Sequence, residues 1–436
     1  MSRTDSVLSR RAAMQFATTV SFSGWLGKLA QSAGKDPARK RSCILLWMSG
    51  GPATIDLFDL KPGHANGGPF KEIATAAPGL KIGEHLPKLA AHGKSLAVVR
   101  GMSTKEGDHG RATFLLRTGN LPQGAIDFPT LGALVAKELQ REGVALPPFV
   151  SVAPQRALAQ NAFGPGFLGP QYAPLVVADG QAARPGTDNV EQQLKVQNLG
   201  RYSGVKGTQA EDRLSLMKDL EAGFLAARPG TVSDSHRTAY DAAVRLMKPE
   251  TAKAFDLAEE KADLRDRYGR NLFGQGCLLA RRLVERGVPF VEVTLDGWDT
   301  HGQNFDAVKN QCGILDPAWA TLMTDLHARG LLDSTLVVWM GEFGRTPKIN
   351  PQRGRDHFAE AWSTVLAGGG ITGGQAVGRT SKDGTKVEER PTTVPDLLAT
   401  VCKALGIDPA KQNMSNVGRP IRVVDASANP LAEVLS

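Results

Sequence analysis

"GCLLARRLVERGVPFVEVTLDGWDTHGQNF", residues 276–305, decides how this chain is read. Its first part, GCLLARRLVERG (276–287), puts Leu279, Leu283 and Val284 on one face and stops at a glycine, which predicts an amphipathic helix. PFVEVTL (289–295) follows as a nearly unbroken apolar run of strand length, the pattern of a parallel strand covered on both faces. Where that run ends, Asp296, Asp299 and His301 fall within six positions. A helix feeding a buried strand that ends in two carboxylates and an imidazole points to an α/β fold with chemistry at a strand end.

The same alternation extends outward in both directions. CILLWM (43–48), SLAVVR (95–100), PFVSV (148–152), PLVVA (174–178) and STLVVWM (334–340) read as further strands. FPTLGALVAKELQ (128–140), DPAWATLMTDLHARG (316–330) and PDLLATVCKALG (395–406) carry apolar residues at helical spacing. Strands alternating with helices predict a mainly parallel central sheet with helices on both faces, and ligands in such sheets gather beyond the carboxyl ends of strands. Residues 42–430 are expected to form this domain. The polar stretch at about 180–270, with helical patches such as AEDRLSLMKDLEAGFLAA, reads as a helical or irregular cap inserted into it.

Composition narrows the classes. The net charge of +8 comes mostly from the first 41 residues, where eight Lys and Arg face only Asp5 and Asp36. The remaining basic residues are scattered without aromatic interleaving, so nucleic acid is not an expected partner. The four cysteines lie far apart without metal-ligand spacing; Cys43 and Cys402 sit in apolar runs as small core residues.

The start of the chain, SRRAAMQFATTVSFSGWL (9–26), has paired arginines before a modestly apolar stretch rich in Ala, Ser and Thr. This resembles a twin-arginine export signal, with residues 1–33 as the signal segment and Ala30–Ala33 as a cleavage region. The stretch is too short and polar for a stable membrane span. The expected location is the periplasm or the extracellular space.

Four polar clusters fall at predicted strand ends. Ser49-Gly50-Gly51 is followed by Asp56 and Asp59; GDHGRATFLLRTG (107–119) brings Asp108, His109 and Arg111. The opening stretch gives Asp296, Asp299 and His301, and WMGEFGRTP with GRDHF gives Glu342, Arg345, Arg355, Asp356 and His357. Three of the eight histidines, His109, His301 and His357, stand beside an acid or one residue from it. Asp and His together suit Zn, Mn or Mg. Plainer roles exist too: Asp296 or Asp299 could cap a helix starting near Asn304, His357 could pack under a following helix, and Glu342 with Arg345 could form a structural salt bridge.

SRRAAM, LLWMSGGPATIDLFDLKP, DHGRATFLLRTG, ARRLVERGVPFVEV, GWDTHGQNF, VVWMGEFGRTP, GRDHF and LAGGGITGG together resemble the family filed as domain of unknown function 1501. That family is similar to the alkaline phosphatase and sulfatase superfamily. The resemblance implies an alkaline-phosphatase-like fold and a metal between Asp296, His301 and His357, with Asp299 competing for the place of Asp296. It also implies that the second metal site is dismantled or rebuilt. The first strand ends without the expected Asp, His109 stands where a nucleophile would, and the usual Asp-His-Gly reads Glu342-Phe343-Gly344.

One divalent metal is therefore expected rather than two, Zn first, with Mn, Mg or Ca as alternatives and Glu342 as a further candidate ligand. His109 would then act as nucleophile or general acid–base oriented by Asp108, while Arg111 and Arg345 would hold an anionic phosphate or sulfate. The formylglycine route of sulfatases lacks its Cys-x-Pro-Ser-Arg motif. The function expected is an exported hydrolase of phosphate or sulfate esters, acting on a small molecule or a polymer. The alternatives are an extracytoplasmic protein that binds a ligand or a partner protein without catalysis, and a transferase or mutase on a phosphorylated metabolite.

Overall fold

In the computed structural model of the protein, residues 41–436 are described apart from 142, 158, 180–189, 197–198, 200–203, 206 and 228–230. Residues 1–33, where an export signal is expected, lie outside the described residues.

Eight strands build the central sheet: β1 (Ser42–Met48), β2 (Leu96–Met102), β3 (Phe149–Val152), β4 (Leu175–Val177), β5 (Phe290–Leu295), β6 (Thr335–Met340), β7 (Trp362–Gly368) and β8 (Gln375–Val377). Their order is β8-β2-β7-β6-β1-β5-β3-β4. Every pairing is parallel except those of β7, which runs antiparallel to β2 and β6. Strand β1 lies between β5 and β6, with Leu45 opposite Glu292 and Val338. Alternate residues of β1 feed two cores: Ile44, Leu46 and Met48 face one layer, and Cys43, Leu45 and Trp47 the other. Burial on both faces is why these strands read as solid apolar runs. The four cysteines are free and buried.

The longer helices are α1 (His109–Thr118), α2 (Leu131–Leu139), α3 (Gly207–Ala227), α4 (Thr231–Leu246), α5 (Leu272–Glu285), α6 (Asn304–Ala328) and α7 (Val394–Ala404), with shorter helices such as Ala262–Tyr268 between them. Among the described residues, the stretch expected as a cap supplies α3 and α4 and no strand of the sheet. No described helix is long and apolar enough to cross a membrane.

Several elements differ from the sequence reading, among them the short edge strand β8, which it did not include. Helix α5 starts at Leu272 instead of 276, because the Asn271 side chain accepts from Gly274 N at 2.8 Å and caps it there. Its Gly276 lies on β5, where a Cβ would meet Val293 Cγ1 at 2.8 Å. Helix α6 runs straight through Pro317. Asp316, which looked like a helix start, points elsewhere: its carboxylate accepts from the backbone of Lys88 at 3.1 Å and Leu89 at 2.8 Å. Buried Leu315, Trp319 and Leu322 on both sides of the proline hold the helix to the core. Strand β7 escaped notice because Ser363 and Thr364 interrupt its apolar run. Both are buried and bonded within the fold, Ser363 N to Thr54 Oγ1 at 3.1 Å and Thr364 Oγ1 to Trp339 O at 2.6 Å.

Helix α1 is fixed at both ends. Asp108 caps its start by accepting from Arg111 N at 2.9 Å, and Gly119, with φ +73°, ends it. Near the C-terminal end, Arg117 reaches Glu292 of β5 at 2.5 Å, and Ser151 Oγ of β3 donates to the same carboxylate at 2.5 Å. Arg117 and Glu292 are both almost fully buried. Replacing Glu292 by Ala strands the Arg117 charge and is expected to lower unfolding free energy by about 3–5 kcal/mol in denaturant titration. Replacing both residues by methionine is expected to cost much less.

Candidate metal centre

The carboxyl ends of β1, β2, β5 and β6 point to one place. After β1 the chain turns through Gly50 at φ +108°, where a Cβ would lie 2.5 Å from Asp299 N. No side chain fits there, so the loop after β5 packs directly on this turn. Gly50 N donates to Glu342 Oε1 at 2.9 Å, joining the ends of β1 and β6. The ribbon Gly344–Arg345 pairs with His357–Phe358, His357 opposite Arg345. Phe343 is buried beneath, with ring centroids 4.9 Å from His109 and 4.6 Å from His357.

His109, His301 and His357 come together there around Asp299. His301 Nε2 lies 3.0 Å from His357 Nε2 and 3.1 Å from Asp299 Oδ1, and His357 Nε2 lies 3.3 Å from the same oxygen. His109 Nε2 faces Asp299 Oδ2 at 3.5 Å and has no hydrogen-bond partner. Among the described residues, His109, Asp299 and His357 offer ligand atoms that all lie within 4.8 Å of one another.

The opposite nitrogen of each ring fixes its tautomer. His357 Nδ1 contacts Gly107 O at 2.8 Å, and a carbonyl can only accept. His301 Nδ1 contacts Asp356 Oδ1 at 2.8 Å, and His109 Nδ1 contacts Glu342 Oε1 at 2.7 Å. With Nδ1 donating outward in all three, each neutral ring turns a bare Nε2 lone pair inward, toward the others and toward a carboxylate. Lone pairs so placed repel unless a metal ion, or a proton on His109 facing Asp299, stands among them.

The donor set fits a metal. Four-coordinate bonds of about 2.0–2.1 Å separate neighbouring ligand atoms by about 3.3 Å, close to the spacing of Asp299 Oδ1, His301 Nε2 and His357 Nε2. The outward Nδ1–H bonds to carboxylates and a carbonyl are what orient metal-bound histidines. Imidazole-rich ligation favours Zn and similar transition ions over Mg or Ca. Asp299 and His301 are each 48% exposed, so one side of the centre opens to solvent.

Charge is arranged to match. Burial alone would raise the Asp299 carboxyl, but the hydrogen bond and charge of Arg345 hold it below the usual range. Burial, with the charges of Arg345 and His109, lowers the pKa of His357 against the raising effect of its bond to Gly107 O. Burial opposes charge on His109 as well, yet the Glu342 hydrogen bond, Glu342 and Asp299 together raise its pKa above 6.5. A proton therefore competes with a metal at His109 through the neutral range.

The expected site residues divide. Asp299, His301, His357 and His109 converge. Asp296 does not join them: its carboxylate accepts from Gln155 Nε2 at 2.8 Å, and Asp299 takes the place foreseen for it. Glu342 holds His109 Nδ1 instead of turning to the cluster, so His109 is oriented by Glu342 and not by Asp108, whose carboxylate caps α1. Arg111 pairs with Glu106 at 2.7 and 3.0 Å. Arg345 is fully buried and bonded to Asp299 and to the carbonyls of Gly50, Gly51 and Arg355, so it stands as a brace and not as a free anion clamp. Neither Asp296 nor Asp299 caps α6, whose N-cap is Gln303. The Gly107 carbonyl was missed, since a backbone acceptor leaves no trace in sequence.

Together these features define an α/β protein with a histidine-rich, solvent-facing cluster at the strand ends that could hold a metal ion. The chain belongs to the family described as "Protein of unknown function (DUF1501)", which it matches over residues 40–435. No curated protein matches it. Among solved structures it is similar to the lipoteichoic acid synthase LtaP from Listeria monocytogenes (8% identity, 88% of this chain and 78% of that one, TM-score 0.41). It is also similar to the PsFucS1 sulfatase from Pseudoalteromonas sp. (11%, 88% and 72%, TM-score 0.39) and to a protein in the alkaline phosphatase superfamily from Vibrio parahaemolyticus (12%, 88% and 75%, TM-score 0.38). These likenesses are too distant to carry chemistry across, which rests on this chain's own residues.

Isothermal titration of metal-free protein is expected to show one transition ion per chain, with binding abolished by His301→Ala or His357→Ala and retained by Asp296→Ala. Glu342→Gln is expected to weaken it about 10–100-fold. Affinity should rise with pH through the neutral range, because His109 Nε2 must lose its proton before it can ligate.

Proposed function

We propose that this chain is an exported, metal-dependent hydrolase of phosphate or sulfate esters. The observation that carries the metal half is the convergence of three inward Nε2 atoms on Asp299 with one side open to solvent. A closed structural site would surround its metal with protein; an open one leaves room for water and substrate. The ester half rests on the motif resemblance to the alkaline phosphatase and sulfatase superfamily, and export on the paired arginines Arg10 and Arg11.

A divalent cation bound here would supply Lewis acidity toward an ester oxygen and activate water. The chain's own residues prepare for it. Asp356 and Glu342 keep protons on the outer nitrogens of His301 and His109, leaving the inner nitrogens bare. Arg345 steadies Asp299 as an anion. Phe343 and Gly50 fix the floor against which the rings stand.

A second reading, a metal- or ligand-binding protein without turnover, is favoured by one specific observation. The two arginines expected to hold the anion already have partners, Arg111 on Glu106 and Arg345 on Asp299. Hydrolysis of a panel of aryl phosphates, phosphodiesters and sulfates by Zn- or Mn-loaded protein separates the two. The hydrolase reading expects turnover that a chelator removes and metal restores; stoichiometric metal with no turnover on any ester selects the binding reading. Export is tested by Arg10→Lys with Arg11→Lys, which is expected to leave the chain in the cytoplasm.

A further inference from the structure

The Asp56 carboxylate lies behind the metal centre with none of its side chain exposed, and two side chains reach it. Arg355 grips it through Nε at 2.8 Å and Nη2 at 2.7 Å, and Asn304 Nδ2 donates at 2.8 Å. The remaining Arg355 donors go to the carbonyls of Thr346 (3.0 Å), Pro347 and Asn66 (2.9 Å). Asn304 accepts from Thr300 Oγ1 at 2.7 Å, and Arg355 N donates to Thr300 O at 3.1 Å. Thr300 and Asn304 bracket His301, while Arg355 immediately precedes Asp356 and His357.

We infer that Asp56 is a positioning residue for the metal centre: its buried carboxylate braces the two segments that carry His301 and His357. These histidines come from chain segments more than fifty residues apart. The segments meet through backbone hydrogen bonds, Arg355 N to Thr300 O at 3.1 Å, Gln303 N to Gln352 O at 3.0 Å and Asn304 N to Arg353 O at 3.0 Å, and Asp56 braces that junction with side-chain bonds to both. Asp56 joins them through Asn304 and Thr300 on one side and Arg355 on the other. A purely structural ion pair would need only the Arg355 contact; the Asn304–Thr300 branch runs to the loop that carries Asp299 and His301. Asp356, which holds His301 Nδ1, follows Arg355, so the same anchor also governs the orientation of that ring. The inference rests on the metal reading of the centre and does not depend on ester hydrolysis.

The test compares full-length wild type with Asp56→Asn, with the milder Thr300→Val, and with Asp325→Asn as a destabilised control. Asp325 pairs with Arg281 and Arg329 toward the other end of α6. The readouts are Zn affinity of the folded, metal-free protein by chelator competition and the visible absorption of the Co-loaded protein. Asp56→Asn is expected to weaken Zn about 10–100-fold and to change the Co band. Thr300→Val should move both in the same direction by less, and Asp325→Asn should lose stability with affinity and spectrum intact. If Asp56→Asn does not fold, Thr300→Val decides. Wild-type affinity and an unchanged Co band in the folded variants would overturn the positioning role, whereas a wild type that binds neither ion would overturn the metal reading and this inference with it.

Discussion

Two imidazole nitrogens, those of His301 and His357, stand around one oxygen of Asp299 while His109 Nε2 faces the other, an arrangement whose inward lone pairs a cation would satisfy. That constraint organises this part of the chain. Each ring is committed by an outward bond, to Glu342, Asp356 or the Gly107 carbonyl, so a neutral ring keeps its one proton on the outer nitrogen. An unsatisfied buried polar atom costs about 1–3 kcal/mol, and His109 Nε2 stands in that condition.

The sheet makes the arrangement rigid enough to matter. The parallel strands β1, β5 and β6 lie side by side, buried on both faces, and deliver Gly50, Asp299 and Glu342 from their carboxyl ends. Arg345 then bonds the β1 turn to the Asp299 loop from within the protein. The ligands therefore stand on loops whose bases cannot shift independently, as a preorganised centre requires. The side facing solvent is where Asp299 and His301 are half exposed, which leaves access without loosening the base.

Much of this was legible in the sequence, and the parts that were not have physical reasons. Apolar runs buried on both faces announced β1, β5 and β6, and acids neighbouring His109, His301 and His357 marked the site. Spacing could not choose between Asp296 and Asp299, because a loop of unknown course does not tell which carboxylate turns inward. Arg345 looked like a clamp for an anion, since sequence does not show that its guanidinium is already surrounded by carbonyls. Asp108 beside His109 looked like its orienting partner, but an Asp at a helix start is drawn to the free amides there, and Glu342 came from a distant strand end instead. Strand β7 and the run of α6 through Pro317 were hidden for the same reason: tertiary bonds and packing outweighed local signals.

X-ray absorption at the zinc edge of the Zn-loaded protein tests the central claim most directly. A mononuclear centre on these residues predicts about three imidazole nitrogens and one carboxylate oxygen, all near 2.0–2.1 Å, with the imidazole scattering diminished in His357→Ala. A first shell of oxygens without imidazole scattering, or a spectrum that His357→Ala leaves unchanged, would contradict it.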